Sequence, residues 1–212
     1  MTSQYERELR HVLAGIPAGV EAVIRSCSIE EKEKMRLVLK RPFLVVRAAG
    51  SGIEGSGDLL ALRGDISFPI EVKTTKPTKI YLSGRTLAQY NALAYEGERC
   101  GLMPLYAHRL KGVRGDSWRI FRVETSTLEG RLRVLARRIP ALPRTRKGRA
   151  YIDWDQGMPL NEFIHVVCQH NENSPTLEYI QKRSVIEEEG LVDPVIKPSI
   201  LDELQRRRTI MR

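Results

Sequence analysis

Residues 58–73 read DLLALRGDISFPIEVK. Asp58 to Leu62 has the composition of a strand, Gly64-Asp65 that of a hairpin turn, and Phe68 to Lys73 that of the returning strand. Strand side chains alternate between faces, so Glu71 and Lys73 project from one side while Ile70 and Val72 point to the other. Asp58 heads the paired strand, which brings two carboxylates and one ammonium together at one end of a sheet. Carboxylates that close repel each other unless a cation sits between them, and hard oxygen ligands suit Mg²⁺ or Mn²⁺. Such an ion acidifies its water and neutralises phosphodiester charge during in-line attack, while the lysine orients that water and stabilises the developing charge. As a bare pattern this is weak, because a Glu/Lys pair on a solvated strand face serves solubility alone. The hairpin and the glycine-rich loop ahead of Asp58 are what favour a metal-dependent phosphodiesterase site.

Working outward, Tyr5, Leu9, Val12 and Leu13 define one face of a helix over residues 2–14, ended by Gly15, Pro17 and Gly19. Ser28-Ile29-Glu30-Glu31 has capping-box spacing and opens a helix running to about Lys40, before Pro42. Phe43 to Arg47 is an apolar strand, and the AAGSGIEGSG that follows is too glycine-rich for regular structure. Strands are expected at residues 80–82, 105–109, 118–123 and 151–154, with helices over 86–100 and 159–167. The order of elements makes an α/β domain with a mixed central sheet flanked by helices. Thr86-Leu87-Ala88-Gln89 reads as a helix cap, which sets Gln89 aside as a site residue. Trp118 and Phe121 read as core.

Hydrophobic residues make up 42% and charged residues 29% of 212 positions, enough for a folded core. No apolar run is long enough to span a bilayer, and the opening MTSQYERELRHVL has no signal core, so a cytoplasmic protein is expected. Cys27, Cys100 and Cys168 are odd in number and far apart, unlike a disulfide framework. His165, Cys168 and His170 lack a fourth zinc ligand nearby, and GSGIEGSG lacks the context of a phosphate-binding loop. Net charge is +9, which points to a polyanionic partner. The excess is densest at 126–150, where eight Lys/Arg face one Asp/Glu. That stretch is expected to bury little and to pair with phosphates. Its candidate contacts are Arg131, Arg133, Arg144, Arg146 and Lys147, against the plainer reading of a solvated loop.

EREL on the first helix, VVRAAGSG, DLLAL, IEVKTTK, and a helix and strand ending in WRIF together resemble the archaeal Holliday junction resolvases of the PD-(D/E)XK nuclease superfamily. The resemblance covers residues 1–14 and about 43–123, and extends more weakly to YIDWDQGMPLNEFI at 151–164. It implies a restriction-endonuclease-like fold and a homodimeric, Mg²⁺-dependent endonuclease that cuts four-way branched DNA. Glu6, Asp58 and Glu71 match the family's metal carboxylates, the Val72 backbone carbonyl a further ligand, and Lys73 the catalytic lysine. Arg47 and Ser51 match positions that bind or place DNA, and Lys76 lies where the family has basic residues. Gly57 stands where the superfamily's name has proline. The helix near 29–40 lies in an insertion of about residues 15–41, which leaves Glu8 and a surface pairing of Glu6 with Arg10 as alternatives for the first helix.

The expected organisation is a nuclease domain over 1–168 with a second, basic insertion at about 125–149, then a polar extension over 169–212 that suits a protein partner. The expected function is resolution of Holliday junctions in recombination and repair, on nucleoid DNA. A related nuclease acting on another DNA substrate, and a DNA-binding scaffold that no longer takes metal, are the alternatives.

Overall fold

The hairpin around Gly64 sets the centre of the molecule. In a computed structural model, which describes residues 4–48 and 57–169, β2 (Leu59–Arg63) turns back into β3 (Ile66–Thr75). Gly64 takes φ 57°, which suits the turn because it has no Cβ. β3 pairs antiparallel with β2 on one edge and parallel with β5 (Leu105–Leu110) on the other. A parallel neighbour needs a crossover, and α4 (Gly84–Cys100) supplies it. β1 (Leu44–Arg47) extends the sheet beyond β2, while β6 (Trp118–Arg122) and β8 (Met158–Pro159) extend it beyond β5. A separate two-stranded sheet joins β4 (Lys79–Tyr81) to β7 (Tyr151–Asp153).

Alternation divides the core. Leu59, Ala61, Phe68, Ile70, Leu105, Ala107 and Trp118 belong to one buried cluster together with α1 (Gln4–Leu13), α3 (Ile29–Lys40) and α6 (Leu160–Cys168). Tyr106 and Phe121 belong to a second cluster with Leu93 of α4, Leu142 and Ile152. The expected mixed sheet flanked by helices is therefore present, and Trp118 and Phe121 are core residues. Among the described residues no helix is long and apolar enough to cross a membrane.

Three local expectations are corrected. Pro17 starts α2 (Pro17–Ile24) at its first turn, where its missing N–H costs nothing. Gly19 lets α2 approach α1 closely, since a Cβ there would stand 2.5 Å from His11 Cβ. α4 begins at Gly84, where the Ser83 N–H donates to Thr86 Oγ1 at 2.9 Å, so Gln89 is not a capping residue. Finally, the basic stretch does not stay out of the core. Leu128, Leu132, Leu135 and Ile139 are buried in the first cluster around α5 (Gly130–Ala136), with arginines on the other side of the same turns. Counting charges hid the helical spacing of those leucines.

Candidate active site

The site forms where β3 outruns β2. The Asp58 N–H donates to Ile70 O at 2.8 Å, just beyond the start of β2. Gly57 takes φ 71°, and a Cβ there would stand 2.7 Å from Ile70 O. Proline, confined to negative φ, has no place at this corner, which accounts for the departure from the superfamily's name. Two residues on, the Val72 N–H faces the same edge as that of Ile70 and donates to Asp58 Oδ2 at 2.8 Å. The Val72 carbonyl lies on that edge as well.

On the next pleat, Glu71 is 5% exposed. Its Oε1 accepts from Lys73 Nζ at 2.7 Å, and Lys73 Nζ also donates to Gln89 Oε1 at 3.0 Å. Gln89, set aside by the sequence reading, thus touches the candidate lysine. A helix start placed two residues late hid it. Burial pushes the Asp58 carboxyl up to about 6, and the neighbouring charge of Glu71 adds to it; the Val72 N–H opposes, Glu6 raises and Lys73 lowers.

The two acids of α1 part company. Glu6 reaches toward Asp58 and lies 3.9 Å from Arg47 Nε. Glu8 Oε1 accepts from Arg109 Nε at 2.9 Å and from Trp118 Nε1 at 2.8 Å, which ties α1 to β5 and β6. Two buried polar groups beside the site escaped the sequence reading. Tyr106 stands opposite Glu71 in register and His108 opposite Lys73. Burial pushes His108 down to about 4, with Nε2 2.8 Å from Thr75 Oγ1. The alternation in LYAHRL at 105–110 was their only signal.

The basic candidates do not form one group. Arg47 belongs to the site edge, and Ser51 lies outside the described residues. Lys76 is exposed in the turn after β3. Arg146 and Lys147 are exposed at the tip of a hairpin closed by the Arg144–Ala150 bridge. Arg144 is held by Glu124 at 2.8 Å and by Gly148 O at 3.0 Å. Arg133 is exposed on α5, whereas Arg131 donates to Val167 O at 3.1 Å, at the end of α6. Arg41 and Arg63 bond carbonyls at the same helix end, where cations offset the helix dipole. Cys168 accepts from Arg63 there at 3.3 Å, and His165 bonds Gln169. His170 lies outside the described residues.

Among the described residues no three His, Cys, Asp or Glu side chains stand close enough to hold a metal ion. Two carboxylates suffice for Mg²⁺, which keeps several waters, and Asp58, Glu71 and the Val72 carbonyl are an all-oxygen donor set of the right kind. The upward push on Asp58 comes first from burial and then from the charge of Glu71, and a bound cation would offset both. The donors therefore fit a hard divalent ion, with Glu6 set back beside Arg47.

No curated protein matches the chain. Among solved structures, it is similar to an Archaeoglobus fulgidus protein described as Hjc, a Holliday junction resolvase from an archaeal hyperthermophile. Identity is 24% and the TM-score 0.39, covering 63% of this chain and 96% of that one. A family model described as archaeal Holliday junction resolvase (Hjc) matches residues 24–171. The match contains Asp58, Glu71, Lys73 and Gln89 but starts after α1, so the placement of Glu6 rests on geometry alone. With most of the chain matched by that model, the chain belongs to the archaeal Holliday junction resolvase family.

Proposed function

We propose that the protein is a Mg²⁺-dependent endonuclease, with Mn²⁺ as an alternative ion, that resolves four-way DNA junctions as a homodimer in recombination and repair on nucleoid DNA. The observation that carries this reading is the corner where Asp58, Glu71 and Lys73 meet, within the family-matched span. Asp58, Glu71 and the Val72 carbonyl would hold the ion, with Glu6 completing the acidic wall. A bound ion would neutralise charge on the phosphodiester and acidify water. Lys73, held by Glu71 and Gln89, places its ammonium where attacking water and a phosphoryl oxygen gather, and stabilises charge as it develops. The Val72 N–H fixes the Asp58 carboxylate, so the donors are set before substrate arrives. Selectivity for a junction follows from branched shape and from the spacing of two active sites, with phosphate contacts setting register. The polar segment 169–212 is proposed as the contact for a protein partner.

The test is cleavage of a synthetic four-way junction with and without Mg²⁺, beside a fork, a nicked duplex and plain duplex. Wild type is expected to cut the junction fastest and only with the ion. Glu71→Ala should lose on the order of 10²-fold or more in rate while still binding the junction. Equal cutting by Glu71→Ala would overturn the site, and faster cutting of another substrate would reassign the target.

A further inference from the structure

The small sheet of β4 and β7 presents two unlike faces. Ile80 and Ile152 point into the second core cluster, while their neighbours Tyr81 and Tyr151 stand opposite each other on the outside. The two rings stack with centroids 5.5 Å apart and planes 22° from parallel. A cross-strand pair of this kind steadies a two-stranded ribbon, which accounts for their contact. It does not account for a Tyr81 left 64% exposed among the described residues.

The surroundings are cationic. Arg149 lies two residues before Tyr151 on the hairpin arm that leads into β7, and alternation puts it on the tyrosine side. Arg85 is exposed in the first turn of α4. The acids beside the patch are already engaged, Asp153 with Lys79 at 3.3 Å and Glu124 with Arg144 at 2.8 Å. An aromatic face rimmed by exposed guanidinium groups fits a nucleobase with phosphates on either side.

Its position follows from the chain path. Lys73 and Gln89 are joined at 3.0 Å, which closes residues 73–89 into a loop with Tyr81 midway along it. Thr75 Oγ1 donates to Pro77 O, and Trp154 N–H donates to Thr78 O, so the turn leading to Tyr81 is fixed at both sides. Tyr81 is thus carried on a segment that both leaves and returns to the candidate site.

We propose that Tyr81 and Tyr151 form a stacking platform for a nucleobase unstacked at the branch point of the DNA, with Arg85 and Arg149 on the flanking phosphates. The proposal rests on the junction-cleaving function above and names how that substrate is gripped. To test it, 5-iodouracil is placed at the branch point, the full-length protein is bound without divalent ion, and photocrosslinks are mapped by mass spectrometry alongside junction and duplex affinities. A crosslink at Tyr81 or Tyr151 is expected. Tyr81→Ala should bind the junction about tenfold more weakly, within the range for loss of one base stack, with duplex affinity unchanged. Tyr81→Phe keeps the ring and should restore binding, and thermal melts of both variants show whether the fold is intact. Wild-type affinity in Tyr81→Ala, no tyrosine crosslink and normal junction cleavage would overturn the platform while leaving the proposed function standing. A wild-type protein that neither binds nor cuts a junction would bring down the function and the platform with it. A drop in subunit number for Tyr81→Ala, with junction affinity per assembled protein unchanged, would assign the face to a second copy of the chain and overturn the proposal.

Discussion

Asp58 is held against its electrostatic preference. Its carboxyl titrates near 6 in the fold against an ordinary 3.8, chiefly through burial and then through Glu71. Between those pH values the folded protein keeps a proton that the unfolded chain has released, so stability falls as pH rises from about 4 to about 6 and stays lower above. A shift of that size corresponds to at most about 3 kcal/mol, and the partial exposure of Asp58 reduces it to about 1 kcal/mol. Asp58→Asn removes the charge and keeps an oxygen for the Val72 N–H. Its Tm in the absence of metal is therefore expected about 2–4 °C above wild type at pH 7.5 and level with it at pH 4, with junction cleavage lost. Equal melting temperatures at both pH values would mean that burial and Glu71 do not raise the Asp58 carboxyl. Lys73 has the opposite character, since its ammonium is already shared between Glu71 and Gln89 and so arrives at the site oriented.

α1 carries two acids two residues apart, on different sides of the helix, with different jobs, and they separate by measurement. Glu8→Ala strands the Trp118 indole N–H and the Arg109 guanidinium in a part-buried junction of α1 with β5 and β6, at a cost of about 1–3 kcal/mol. Glu6→Ala, at the edge beside Arg47, should leave Tm nearly unchanged and lower cleavage. Thermal melts with junction assays check both, and the reverse pattern would exchange the two roles. This element also marks how far the sequence could be read. Period-2 alternation placed Glu71 and Lys73 on one pleat, and the hairpin residues put Asp58 at its head, because strand geometry and turn chemistry are local. Whatever depended on distant partners stayed hidden. Gln89 becomes a partner of Lys73 only through a crossover helix whose start a false cap had displaced. The leucines of α5 were masked by the arginines between them. The stacked tyrosines are 70 positions apart in the sequence, and only the pairing of β4 with β7 brings them together.

For the whole molecule, a net charge of +9 makes DNA affinity a function of salt, with log K falling by about 0.9 per phosphate contact for each unit of log salt. The fold decides which cations count. Arg131 spends its guanidinium on the last carbonyl groups of α6 and Arg144 on Glu124, so neither is free to meet a phosphate without first breaking those bonds. Arg146 and Lys147 stand exposed at a hairpin tip, in the same arm that carries Arg149 and Tyr151. Replacing both Arg146 and Lys147 with alanine should make the junction-binding slope shallower by about 1.8 and leave Tm unchanged. Arg131→Ala should leave the slope alone and lower Tm, because its loss uncovers carbonyl groups at the end of a buried helix. Filter binding from 50 to 300 mM KCl separates the two. If Arg131→Ala flattens the slope as much as the hairpin variant does, the DNA path crosses the α5 and α6 side of the molecule, away from Gln89 and the stacked tyrosines, and the footprint drawn from the hairpin is wrong.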